Sequence, residues 1–159
     1  MDETLLPGES AAAAAERLAR AKVGKLLPTA GEALVIGADT LVVLDGQALG
    51  KPTDRDDARR MLRALSGRRH EAVTGVAVGR GEQIFSGLDT TSVIFAAMSD
   101  DEIDRYTRSG EPDDKAGAYA LQGIGGLFVE RIEGSPSNVV GLPIRLLREL
   151  ARKAGVELI

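Results

Sequence analysis

The stretch Leu34-Val35-Ile36-Gly37-Ala38-Asp39-Thr40-Leu41-Val42-Val43-Leu44-Asp45-Gly46 decides how this chain is read. Ala33 to Leu44 is apolar and carries the β-branched residues Val35, Ile36, Val42 and Val43, the composition of a buried strand. Asp45-Gly46 then supplies the positive φ angles that a tight hairpin turn requires, so a strand is expected on each side of it. One carboxylate, Asp39, interrupts the apolar run. Desolvated there without a partner, it would cost several kcal/mol or be forced to take a proton. Two explanations stay open: a general base or metal ligand at a strand end beside a cleft, or a bend where the carboxylate caps backbone amides.

Outward from this strand, the residue pattern predicts further elements. Before it, Ser10 through Leu27 is alanine-rich and closed by Pro28, which reads as a helix capped by Ser10. After it, Thr53 or Asp54 can cap a helix with Ala58, Met61, Leu62 and Leu65 on one face, and Gly67 suits its left-handed terminus. Glu71 to Val78 and Ile84 to Ala96 are expected as paired strands around a Gly79-Arg80-Gly81 turn. Ser99 and Glu102 form a capping box for a short helix ended by Gly110. Ala118 to Leu121 and Leu127 to Ile132 are strand candidates, and Gly123, Gly125 and Gly126 between them imply sharp bends or close backbone approach. Pro143 opens a last helix carrying Leu146, Leu147 and Leu150, stopped by Gly155. The expected fold class is α/β: one domain over residues 1–159, a mixed sheet flanked by helices.

With 159 residues, 43% of them hydrophobic, the chain can bury one sizeable core. A formal charge of −4 and a pI near 5.1 argue against a broad grip on a nucleic acid polymer or an anionic membrane. Any phosphate binding must be local. No cysteine is present, which excludes a disulfide framework, an Fe–S cluster and a cysteine nucleophile. The apolar runs fall far short of the ~20 residues that cross a bilayer, and no signal peptide is read at the acidic start. A cytoplasmic protein is therefore expected.

Few residues besides Asp39 have the chemistry of a site. Gly46 to Pro52 is not a Walker A motif, because it has three residues between its glycines and a proline where the metal-binding Ser or Thr belongs. Lys51 can still meet a phosphate as a point charge, or be a solvated surface lysine. Lys115 lies in Asp113-Asp114-Lys115-Ala116-Gly117-Ala118-Tyr119, and Gln122 follows. A glutamine amide donates and accepts at once, which suits the imide edge of uracil or thymine. His70, the one histidine, has no neighbouring Ser or second His and reads as structural. The acidic pairs at 56–57, 100–101 and 113–114 read as helix starts.

Taken together and in order, Gly37-Ala38-Asp39-Thr40, Gly50-Lys51-Pro52, Leu65-Ser66-Gly67-Arg68, Asp114-Lys115-Ala116-Gly117-Ala118-Tyr119 and Ser137-Asn138-Val139-Val140-Gly141-Leu142-Pro143 resemble the Maf family of nucleotide pyrophosphatases. The resemblance covers essentially the whole chain. It implies a Maf/ITPase-like α/β fold with a central cleft, a divalent cation such as Mg²⁺ or Mn²⁺, a nucleoside triphosphate substrate and a homodimer. Residue by residue, it makes Asp39 the proton acceptor and Thr40 and Gln122 the positions that set base specificity. Lys22, Lys51 and Lys115 become substrate-binding residues, and Glu3 with Asp39 the metal ligands. Ala38-Asp39-Thr40 and Leu121-Gln122-Gly123 resemble the branch acting on dTTP and UTP.

Family members normally open with a strand and a Ser-x-Ser-Pro-Arg-Arg loop ahead of the Asp-Glu-Thr seen at Asp2-Glu3-Thr4, and that segment is not in this sequence. The expectation is a Maf-type domain truncated at its N-terminus, with turnover lowered by the missing phosphate-binding arginines. The alternative expectation is a nucleotide-binding or regulatory module impaired in catalysis for the same reason.

Overall fold

The computed structural model describes residues 5–159. Five strands form one antiparallel sheet in the order β2-β1-β3-β4-β5, flanked by helices. These are β1 (Val35–Leu44), β2 (Gln47–Leu49), β3 (Arg69–Arg80), β4 (Gln83–Phe95) and β5 (Val129–Glu133). The helices are α1 (Ala11–Leu26), α2 (Arg55–Leu65), α3 (Asp100–Arg108), α4 (Pro136–Val140) and α5 (Ile144–Lys153). The α/β class is as expected, and the sheet is antiparallel rather than mixed. Asp45 and Gly46 make the hairpin turn, with φ of 51° and 76°, and set Leu44 opposite Gln47 and Val42 opposite Leu49.

The chain divides into two compact units. The first holds the described residues up to Thr40 together with Val73–Thr90 and Ser137–Ile159. The second holds Leu41–Ala72 and Thr91–Pro136. In the first unit strand alternation sorts residues between two helices. Ala77, Val35 and Ile84 pack with Ala19 and Val23 of α1. Val76, Val78, Leu34, Ala38 and Phe85 pack with Leu147 and Leu150 of α5. Helix α1 begins as expected, with Ser10 Oγ accepting from the Ala13 amide at 3.2 Å. It lies almost in backbone contact with β3: a Cβ on Gly75 would sit 2.3 Å from the Ala15 carbonyl oxygen. The alanine run is thus a contact surface, with Ala14, Ala15 and Ala19 fully buried.

Gly79, expected in a turn, instead lies inside β3, where a Cβ would come 2.6 Å from Val23 Cγ1. The turn is Gly81-Glu82, one step later, with Gly81 at φ 59°. A glycine pattern alone cannot separate the two roles, because both demand a missing side chain.

In the second unit α2 starts at Asp54, whose carboxylate accepts from the Asp57 amide at 2.8 Å, and it buries Ala58, Met61, Leu62 and Leu65. It packs on α3, which opens with the expected Ser99/Glu102 capping box. Ala118 to Leu121 is not a strand. Gly117 and Ala118 both have positive φ, 68° and 62°, which no extended segment can contain, and the region folds as short 3₁₀ turns over Glu111–Asp114 and Ala116–Ala118. His70 is 2% exposed, edge-on to Phe95 and Tyr119, with Nε2 2.8 Å from the Tyr119 hydroxyl.

Burial lowers the His70 pKa to about 4, against a smaller upward pull from the Arg68 backbone. The folded chain thus binds this proton less readily than the unfolded chain, whose histidine titrates near 6.5. Stability tied to His70 is fully present above pH ~6.5 and is lost as the pH falls toward 4. Thermal unfolding of the wild type should therefore weaken across that window by an amount of order 3 kcal/mol. His70→Gln, which keeps a polar atom for Tyr119, should flatten this part of the curve; parallel curves for the two proteins would remove His70 as the cause.

Candidate active site

Asp39 is the fifth residue of β1 rather than at a strand end, on the face covered by α1, because residues 35, 37 and 39 alternate toward that helix. The partner it needs is Lys22 of α1, whose Nζ lies 2.5 Å from Asp39 Oδ1 and 3.3 Å from the Ala38 carbonyl oxygen. The carboxylate is 10% exposed and the lysine 33%. The pair is half-buried and open on the lysine's side. Gly37 makes the reach short, since a Cβ there would stand 2.8 Å from the Ala19 carbonyl oxygen.

Thr40 points to the opposite face, where its hydroxyl meets that of Thr74 at 2.8 Å. Thr74 donates to the backbone carbonyl of Asn138 at 3.1 Å. A hydroxyl has one proton. With Thr74's given to Asn138, the Thr40–Thr74 bond uses the proton of Thr40, whose oxygen keeps its lone pairs and faces any further partner as an acceptor. The Asn138 carbonyl also accepts from the Gly141 amide at 3.0 Å, and Ser137 accepts from Gly141 and Leu142. The Ser137–Pro143 motif thereby closes around α4 as a turn that fixes the end of this relay.

In the second unit the segments that carry Lys51 and Lys115 are joined through their backbones. The Gly117 amide donates to the Gly50 carbonyl at 3.0 Å, and the Val42 side chain leaves no room for a Cβ on Gly117. Lys115 forms an ion pair with Asp114, whose pKa is lowered by that hydrogen bond first, by the charge of Lys115 and, more weakly, by Lys51. Asp114, read from the sequence as a helix-start residue, thus pairs with Lys115 and feels the charge of Lys51. Gln122 is exposed on the loop that follows. Glu3 lies outside the described residues. The structure thus groups Lys22, Asp39 and Thr40 in one unit and Lys51 and Lys115 in the other, with Gln122 on its own loop.

Two further polar residues do not stand out as site residues in the sequence. Thr74 interrupts the apolar Ala72-Val73-Thr74-Gly75-Val76 in the same manner as Asp39, so its signal is present there. Glu111 gives none, since its partners lie 5 to 14 residues away.

The family model for "Maf-like protein" matches residues 1–154. The chain belongs to the Maf family. Among similar Maf proteins, the "dTTP/UTP pyrophosphatase" of Chromobacterium violaceum is 50% identical over 163 aligned residues, covering 99% of this chain and 82% of the relative. The protein of the same name from Anaeromyxobacter dehalogenans strain 2CP-1 is 53% identical, covering 99% and 81%. That from Pseudoalteromonas atlantica is 48% identical, covering 91% and 77%. Among the described residues of this Maf protein, no helix is long and apolar enough to cross a membrane.

The Lys22–Asp39 pair generates a stability prediction. Lys22→Met strands a nearly buried carboxylate and should destabilise by about 1–3 kcal/mol, less than a fully buried pair because the lysine retains solvent contact. Asp39→Asn, which leaves the lysine a path to water, should cost less. The double variant should recover part of the Lys22→Met loss in chemical denaturation; strict additivity would mean the contact carries no energy.

Proposed function

We propose that this protein is a nucleoside triphosphate pyrophosphatase that splits dTTP and UTP into the monophosphate and pyrophosphate. The observation that carries the reading is the ion-paired Asp39 beside Thr40, in a Maf chain about half identical to proteins named for that activity. These relatives favour the enzyme over a module that only binds nucleotides.

In this reading Asp39, oriented by Lys22, takes a proton from water as its oxygen bonds to the α-phosphorus. The bond from that phosphorus to the bridging oxygen breaks, and pyrophosphate leaves with the electron pair. Lys51 and Lys115 hold phosphate oxygens and offset the charge that develops on them. Lys22, expected as a substrate contact, acts here through Asp39, its partner in this structure. Thr40, whose proton the relay uses, meets the substrate as an acceptor, and Gln122 presents a donor and an acceptor to the imide edge of the base.

Among the described residues no group of three or more His, Asp or Glu could hold a metal ion. A Mg²⁺ or Mn²⁺ ion bound through substrate phosphates, water and one or two carboxylates fits such a donor set. Asp39 would hold it, with Glu3 as the second ligand, and once bound it supplies Lewis-acid neutralisation of the phosphates. A cytoplasmic homodimer completes the proposal.

Asp39→Asn should keep the fold by circular dichroism while lowering metal-dependent pyrophosphate release at least ~10²-fold, the scale of general-base loss. Near-wild-type release from the folded variant would take Asp39 out of the mechanism. Competition kinetics should give dTTP and UTP higher specificity constants than ATP and GTP, because unpaired polar groups penalise the wrong base. Equal constants for all four would overturn the pocket assignment.

A further inference from the structure

We propose that Glu111 is a positioning residue for base recognition: together with Tyr106 it clamps both ends of the loop that presents Gln122. The inference rests on the reading that Gln122 meets the base. Glu111 Oε1 accepts from the Ile124 amide at 2.9 Å. Its Oε2 accepts from the Gly125 amide at 2.9 Å and from the Tyr106 hydroxyl at 2.6 Å. Tyr106 Oη in turn accepts from the Ala120 amide at 3.1 Å. One carboxylate and one phenol therefore bind the backbone two residues before Gln122 and two and three residues after it.

The fit is close on every side. A Cβ on Gly123 would lie 1.8 Å from Glu111 Oε1, and one on Gly125 would lie 2.5 Å from Tyr106 Oη. The glycine cluster thus marks a loop wrapped directly on a carboxylate, not a flexible linker. Glu111 is itself fixed by the left-handed Gly110, φ 78°, and by its own amide donating to Ser109 Oγ at 3.2 Å. Tyr106 is buried in α3. Burial works to raise the Glu111 pKa, and the hydrogen bonds from Tyr106, Gly125 and Ile124 outweigh it, so the carboxyl titrates below its ordinary range. Such a group accepts from three donors across the neutral range. Gln122, whose own side chain stands exposed at the apex, inherits its position from this clamp.

The test is steady-state kinetics on dTTP and dCTP, which share deoxyribose and phosphates but exchange donor and acceptor at base positions 3 and 4. Glu111→Gln keeps the shape but turns an N–H₂ toward backbone donors. It should lower the dTTP/dCTP ratio of kcat/KM by about 10-fold or more, an effect of ~1.4 kcal/mol, carried by a higher KM for dTTP with kcat within about 3-fold. Tyr106→Phe, which removes one donor and one acceptor, should lower it by a smaller factor, and decides the matter if Glu111→Gln fails to fold by thermal unfolding. Adding Glu111→Gln to Gln122→Ala should change the ratio no further. A ratio lost in Gln122→Ala but kept in the folded clamp variants would overturn the positioning role alone. A further drop in the Gln122→Ala background would do the same. A ratio unchanged by Gln122→Ala would overturn the base-reading role, and the proposal with it.

Discussion

The ion pair between Lys22 and Asp39 forms only because α1 lies nearly against the backbone of β1 and β3. A carboxylate with 10% exposure needs a cation or hydrogen-bond donors, and the lysine reaches it from a helix that glycines at 37 and 75 allow to approach. The alternation of β1 then separates two kinds of chemistry by one residue. Asp39 turns to the helix and a charged partner. Thr40 turns to the other face and a chain of neutral hydroxyls ending at Asn138. A strand shifted by one position would exchange those faces, so the site depends on the register of the strand.

In the second unit the candidate residues Lys51, Lys115 and Gln122 lie on segments without regular structure. There the backbone is held by single polar contacts: Gly117 on Gly50, and Ala120, Ile124 and Gly125 on Tyr106 and Glu111. Gly117, Gly123 and Gly125 mark spots where another atom already occupies the place of a side chain. Loops of this kind are positioned by their neighbours more than by their own propensities.

Much of this is legible in the sequence wherever cause and effect lie within four residues. Ser10, Asp54 and the Ser99/Glu102 box cap their helices as their spacing predicts, and Asp45-Gly46 turns the hairpin. Asp39 announces its need for a partner, although Lys22, 17 residues earlier, cannot be paired with it by pattern alone. Strand limits are obscured where a residue's conformation has two readings. Gly79 yields to Val23 from inside β3, and Ala118 takes a left-handed conformation that its chemistry does not advertise. Glu111 is invisible in the sequence because most of its donors are backbone amides, which nearly every residue has.

The surface between α1 and the strands has one more consequence. At Gly75 the helix meets bare backbone, and glycine and alanine have no rotamers to lose. Docking α1 at that point costs no side-chain entropy, and warming the molecule offers no alternative rotamers there through which the contact could loosen. The base of Lys22 is therefore located as rigidly as the peptide planes beneath it. Thermal disorder at the ion pair is confined to the lysine's own methylene stem, and the pair should keep its geometry up to the temperature at which the helix itself departs.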